Sequence, residues 1–109
     1  MNRAERLARN EDMFRTVNER ILALNERLGV DPASIEFVCE CANAECAEQV
    51  ALTRDEYERV RQDPRQFLLV TGHELPEIER VVARTEHYTV VAKVDEDAAR
   101  VVEELDPRS

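Results

Sequence analysis

The chain has 109 residues, of which 43% are hydrophobic, and a formal net charge of −9. A chain of this length can bury the core of one domain and little more, so we expect a single domain over residues 1–109. The sequence has no apolar run long enough to cross a bilayer, and its acidic balance repels phosphate backbones, so membrane and nucleic-acid binding are not expected.

Residues 1–28 predict an amphipathic N-terminal helix. Five apolar residues recur at spacings of three and four, which places them on one helical stripe, here called the apolar seam: Phe14, Val17, Ile21, Leu24 and Leu28. The helix is expected to end at Gly29, before the turn-forming Asp31-Pro32. Upstream, Leu7 continues the seam but Asn10 interrupts it, which predicts that the first turns fray or project from the domain.

The apolar seam has two interpretations. Amphipathic helices of small domains usually pack on their own core. A seam of heptad spacing can also pair with a partner protein or with a second copy of the chain. Residues 1–28 carry a net charge of +1 and the remainder −10, so Arg20 and Arg27 beside the seam would meet the acidic body of a second subunit.

A β-hairpin with three cysteines at its tip is predicted next. Residues 35–39 and 48–52 have the alternation of paired strands. Cys39, Cys41 and Cys46 lie within eight residues, joined by a short polar segment. Their odd number, with no apolar signal segment before them, favours reduced thiols in the cytoplasm over a disulfide framework.

The elements after the hairpin predict a short helix and a strand that ends at a histidine. Thr53 and Glu56 form a capping box that begins the helix, and Asp63-Pro64 ends it. The apolar residues 67–70 then lead into Gly72-His73. His73 is therefore expected to project from the end of a strand.

The segment 78–94 is ambiguous over its first half. Residues 77–84 have features of a helix, but their β-branched residues favour a hairpin with 88–94, which we predict. Acidic residues 95–97 then begin a C-terminal helix that reaches about Leu105. The result is an α+β fold: a small antiparallel sheet with an N-terminal amphipathic helix, a short middle helix and a C-terminal helix, clamped by a zinc site.

The predicted zinc ligands are Cys39, Cys41, Cys46 and His73. His87, in a predicted hairpin turn, is the second choice for the fourth ligand, and Glu48 is the third. Residues i and i+2 of a regular strand lie about 6.5 Å apart, whereas sulfurs around zinc lie within about 4 Å, so a bend is expected at Cys39 and Cys41. The alternative is three buried thiols without a metal, and the polar neighbours, Glu40 among them, argue against it.

The sequence resembles a family of small uncharacterised actinobacterial proteins along nearly its whole length. The likeness is carried by Arg9-Asn10-Glu11, Asn18-Glu19-Arg20-Ile21, Phe37-Val38-Cys39-Glu40-Cys41, Leu52-Thr53, Glu56-Tyr57-Glu58-Arg59-Val60-Arg61, Gly72-His73-Glu74 and Leu105-Asp106-Pro107-Arg108. Its most specific parts are the cysteine cluster and the Gly-His pair. The resemblance implies that Cys39, Cys41, Cys46 and His73 act as a unit, and it implies no particular activity.

No catalytic constellation accompanies the cluster. A nucleophilic cysteine needs a base and an electropositive setting, whereas the charged neighbours of these cysteines are acids. We therefore expect a non-enzymatic, zinc-stabilised protein-interaction or regulatory module. One alternative is a thiol-based redox sensor that releases zinc on oxidation. The other is a zinc-dependent hydrolase with Glu74 as its base, which requires an open coordination position on the metal.

Overall fold

The computed structural model describes residues 1–108 and has the expected α+β fold. Its elements are α1 (Arg3–Arg27), β1 (Ile35–Val38), β2 (Gln49–Leu52), α2 (Arg54–Val60), β3 (Gln66–Leu69), β4 (Glu79–Arg84), β5 (Thr89–Lys93) and α3 (Glu96–Glu104). β1 and β2 pair as an antiparallel hairpin, and the other strands form an antiparallel sheet in the order β3-β5-β4. The ambiguous segment is thus a strand, as predicted. Within residues 1–108, no helix has the length and apolarity needed to span a membrane.

Capping boxes begin α1 and α2. The Asn2 side chain accepts a hydrogen bond from the Glu5 N–H at 2.8 Å, and the Glu5 carboxylate accepts one from the Asn2 N–H at 3.0 Å. Thr53 and Glu56 form the predicted box of α2 in the same way. Leu7 packs against the core. The expectation that the first turns of α1 fray is therefore wrong, because a cap and a core contact stabilise them.

α1 packs on the domain through polar side chains. Its buried residues are Ala8, Glu11, Arg15, Asn18 and Leu22. Within the apolar seam, Phe14 and Ile21 are half-buried. The other three members are exposed, by 39% at Val17, 46% at Leu24 and 66% at Leu28. The expectation that the seam packs on the chain's own core is wrong for these three, because hydrogen-bonding side chains occupy the inner face of the helix.

The three-stranded sheet is covered on both faces. Side chains alternate along β3, so Phe67 and Leu69 point to one face and Leu68 to the other. The first face packs against α3 and the first half of α1, and two of the cysteines belong to this part of the core. The second face packs against α2 and the β1-β2 hairpin, where the rings of Phe37 and Tyr57 stack 4.3 Å apart. The cysteines are therefore continuous with the hydrophobic core.

A buried charged layer joins α1 to this sheet. The Lys93 ammonium lies 2.9 Å from a carboxylate oxygen of Glu11 and 2.5 Å from one of Glu79. Lys93 and Arg15 also lie over the Phe67 ring, 4.3 and 4.5 Å from its centroid. Burial raises the pKa of Glu11 well above its ordinary value of 4.5, against the opposing effect of Lys93. When Glu11 holds a proton, the positive charge of Lys93 is balanced by the single negative charge of Glu79.

This proton makes the stability depend on pH through Glu11. The folded chain binds it more tightly than the unfolded chain does, so the stabilising contribution is full below pH 4.5 and is lost as the pH rises through the folded-state pKa. Between the two pKa values, the wild type should lose about 1.4 kcal/mol of unfolding free energy per pH unit relative to Glu11→Gln. Urea unfolding across the pH range measures this difference. Glu36→Gln, at an exposed site of β1, is the control, and parallel curves for wild type and Glu11→Gln would refute the expectation.

Candidate metal centre

The three cysteines lie in the loop between β1 and β2. β1 ends at Val38, so Cys39 and Cys41 lie beyond the regular strand, where the expected bend can bring their sulfurs together. A turn then presents Cys46, whose N–H donates to the Asn43 carbonyl at 2.9 Å. The loop thus brings all three sulfurs into one cluster against the core.

Glu40 anchors this loop from the side opposite the sulfurs. Its Oε2 accepts hydrogen bonds from the Tyr57 hydroxyl at 2.6 Å and the Asn18 amide at 2.8 Å. Its Oε1 accepts the Leu68 N–H at 2.9 Å. Burial raises the pKa of Glu40, and these hydrogen bonds oppose the shift. The interpretation of Glu40 as a neighbour unsuited to the core is wrong, since the side chain is fully buried and three hydrogen bonds hold it there.

His73 is presented by a tight turn that follows β3. Its N–H donates to the Val70 carbonyl at 3.0 Å. Gly72, inside this turn, has φ +98°, which side-chain-bearing residues rarely adopt. A Cβ at Gly72 would meet no atom of residues 1–108 within 4 Å beyond the adjoining chain, so backbone conformation is what requires glycine here.

The four predicted ligands come together. One ligand atom from each of Cys39, Cys41, Cys46 and His73 lies within 4.8 Å of all the others. The Nδ1 atom of His73 is 3.6 Å from Cys39 Sγ and 3.8 Å from Cys46 Sγ. In a tetrahedral site with bonds of about 2.3 Å to sulfur and 2.0 Å to nitrogen, these atoms would be about 3.6 Å apart. The cluster has a geometry that could bind a metal ion.

The other two candidates for the fourth ligand lie outside the cluster. His87 is exposed in the turn between β4 and β5, where its N–H donates to the Thr85 hydroxyl. Glu48 instead contacts His73, with a carboxylate oxygen 2.9 Å from Nε2. A carboxylate on the far nitrogen of a ligating histidine sets the tautomer and the ring orientation. In such a site Glu48 would orient the His73 ring, with Nδ1 toward the sulfurs.

The acidities of the three thiols depend on one another. The hydrogen bond between Cys39 and Cys41 lowers the pKa of Cys41 and raises that of Cys39, which burial raises further. Burial is also the main cause that raises the pKa of Cys46. In addition, the Val70 N–H donates to Cys39 Sγ at 3.2 Å. Thiolates this close repel one another, so a positive ion among the three sulfurs would favour the ionisation of all three.

A cleft of about 320 Å³ lies beside the cluster. It is lined by Leu7, Cys41, Ala42, Asn43, His73 and Leu75.

Glu74, the candidate base, accepts hydrogen bonds from the Gly72 N–H at 3.0 Å and from Arg84 at 2.9 Å. Backbone hydrogen bonds, with Arg84, lower the pKa of Glu74. A carboxylate held in this way is a weak base.

The fold and the cluster define the class of this protein: a small α+β protein with three cysteines and one histidine in a geometry that could hold a metal. Comparisons with protein-family models, with curated proteins and with solved structures found no match to this chain.

The contact between Glu48 and His73 predicts an effect on metal affinity. Glu48→Gln should weaken metal binding about 10- to 100-fold, because a neutral amide accepts a weaker hydrogen bond from His73 Nε2 than the carboxylate does. Titration of the metal-free protein with Co²⁺, followed by its visible absorption, measures the change. Glu45→Gln, an exposed acid of the same loop, is the control, and equal affinities for wild type and Glu48→Gln would show that Glu48 does not position the ligand.

Proposed function

We propose that this protein is a non-enzymatic protein-interaction or regulatory module whose fold is stabilised by one zinc ion. The observation that carries the proposal is the cluster of Cys39, Cys41, Cys46 and His73, whose ligand atoms lie within 4.8 Å of one another. Three thiolates and an imidazole suit Zn²⁺, whereas Ca²⁺ and Mg²⁺ prefer oxygen ligands. Iron–sulfur clusters of the common kind take four thiolates, and this sequence has three cysteines.

Two features favour a structural ion over a catalytic one. Four protein ligands complete a tetrahedral shell, whereas catalytic zinc sites use three and leave the fourth position to water. Cys39 and Cys41 are only 1% and 2% exposed and belong to the hydrophobic core, so an ion bound there would link the hairpin tip to that core. The hydrolase alternative has less support, because its proposed base Glu74 is held by Arg84 and by backbone N–H groups.

The zinc proposal predicts one ion per chain and a fold that depends on it. Because zinc binding contributes to folding free energy, a strong chelator should lower the melting temperature. For a domain of about this size, each kcal/mol lost lowers the melting temperature by about 4–8 °C. Thermal unfolding with and without chelator, combined with metal analysis, tests this.

Matched histidine variants test the ligand set. His73→Ala should lose tightly bound zinc, and His87→Ala should retain it, because only His73 lies in the cluster. Full zinc retention by His73→Ala would remove that residue from the site. A chelator that strips the zinc and leaves the melting temperature unchanged would show that the ion has no structural role.

A thiol-based redox sensor is the second candidate, and one observation favours it. Cys46 and His73 are half-buried, so the cluster opens to solvent on their side. Peroxide would take two electrons from two thiolates, which join as a disulfide. With two protons the peroxide leaves as two waters, and the zinc, with two ligands lost, is released.

We expect release only at a large molar excess of peroxide, because two of the three sulfurs are buried and the loop is acidic. A chromogenic zinc indicator measures release during peroxide titration. Release at equimolar peroxide, reversed by a thiol reductant, would instead favour the sensor over the structural module.

A further inference from the structure

The side of α1 opposite its buried residues is a continuous surface, here called the outer face. With about 100° of rotation per residue, the residues on this side lie roughly half a turn from Glu11, Arg15 and Leu22. The outer face consists of Arg9, Met13, Val17, Arg20, Leu24 and Arg27. All six are exposed. Basic and apolar side chains are thus interspersed along about 27 Å of helix.

The apolar part of the outer face is a row and not a scatter. Met13, Val17 and Leu24 are 47%, 39% and 46% exposed, and Leu28, which caps the helix, extends the row with 66%. Single exposed apolar residues are ordinary on protein surfaces. A row along one helix face is instead typical of a surface that another element covers.

The arginines of the outer face lack carboxylate partners within residues 1–108. The acids of α1 lie elsewhere on the helix and are engaged. Asp12 pairs with Arg15, and Glu26 pairs with Arg54. Glu19 pairs with Arg61 and with Arg108. The outer face is therefore locally positive on a chain whose net charge is −9.

We propose that the outer face binds an acidic amphipathic helix of another protein. This inference rests on the proposed interaction function and names its surface and the chemistry of its partner. A partner helix with apolar residues at spacings of three and four would cover Met13, Val17 and Leu24. Glutamates or aspartates beside that row would meet Arg20 and Arg27, which border a shallow groove of about 420 Å³ with Ala23 and Leu24.

Charge favours this partner over nucleic acids, anionic membranes and a second copy that pairs through the same outer face. If two copies paired through their outer faces, the arginines of one would approach those of the other, which is unfavourable. Nucleic acids and anionic membranes meet a body with a net charge of −10 outside residues 1–28, which opposes their approach. A single acidic helix is small enough to contact the outer face and little else.

The test uses the full zinc-loaded chain and a synthetic helical peptide of about 21 residues, with leucines at alternating spacings of three and four and glutamates beside them. A second peptide has lysine in place of every glutamate. Fluorescence anisotropy measures both affinities. We expect the glutamate peptide to bind, the lysine peptide to bind at least about tenfold more weakly, and added salt to weaken the first complex.

Matched variants locate the binding surface. The double variant Arg20→Glu with Arg27→Glu, and separately Leu24→Ser, should weaken peptide binding at least about tenfold. Arg80→Glu and Val82→Ser change an exposed arginine and an exposed valine of β4, and should leave binding unchanged. Circular dichroism and zinc content, measured on the same samples, show that each variant is folded and loaded.

Three results would overturn the inference. The first is that the glutamate peptide does not bind, or binds no better than the lysine peptide. It also covers binding that is unchanged in the double variant of Arg20 and Arg27 and in Leu24→Ser. The second is a wild-type dimer in light scattering that Leu24→Ser dissociates, which would assign the outer face to a second copy. The third is tighter binding to anionic lipid vesicles than to the glutamate peptide. None of these three results contradicts the proposed zinc-stabilised module. A chain that folds without zinc would contradict that module, whatever the result with the peptides.

Discussion

The position of the cysteines depends on one buried carboxylate, that of Glu40. It accepts hydrogen bonds from Asn18 of α1, Tyr57 of α2 and the backbone of Leu68 in β3. A buried carboxylate costs several kcal/mol unless donors compensate it, so these elements must be assembled around Glu40. Its neighbours along the chain, Cys39 and Cys41, then face the opposite side, toward His73. The same hydrogen bonds thus hold the core and the cluster in place, so a change that displaces α1 or α2 also displaces the sulfurs.

Much of the fold follows from signals that are local in the sequence. The capping box of Thr53 and Glu56 begins α2 as predicted, and the β-branched residues of 79–84 form a strand. The cysteine cluster and His73 were predictable for a similar reason, since few residue types bind soft metals and three of these ligands lie within eight residues. Such features depend on chemistry that neighbouring residues carry themselves.

The inner face of α1 could not be predicted in this way. Periodicity locates an apolar stripe, but it does not say whether that stripe faces the domain or the solvent. Here the answer depends on remote partners: the Asn18 side chain pairs with both the N–H and the carbonyl of Val38, and Arg15 donates to the Val102 carbonyl. The contacts of Glu40, and those of Glu48, which the sequence offered only as a third choice of ligand, could not be predicted for the same reason. Each looks like a surface acid until the residues that contact it are known.

The spacing of the four ligands along the chain has a consequence for the order of folding. Cys39, Cys41 and Cys46 close a small loop, which costs little entropy, so a nascent hairpin can capture a metal through sulfur alone. His73 follows 27 residues after Cys46, and it reaches the sulfurs only once β3 has docked. A metal held by this cluster would therefore load in two stages, first on three thiolates and then on the completed site. Exchange of the ion with its surroundings would accordingly slow when the sheet forms.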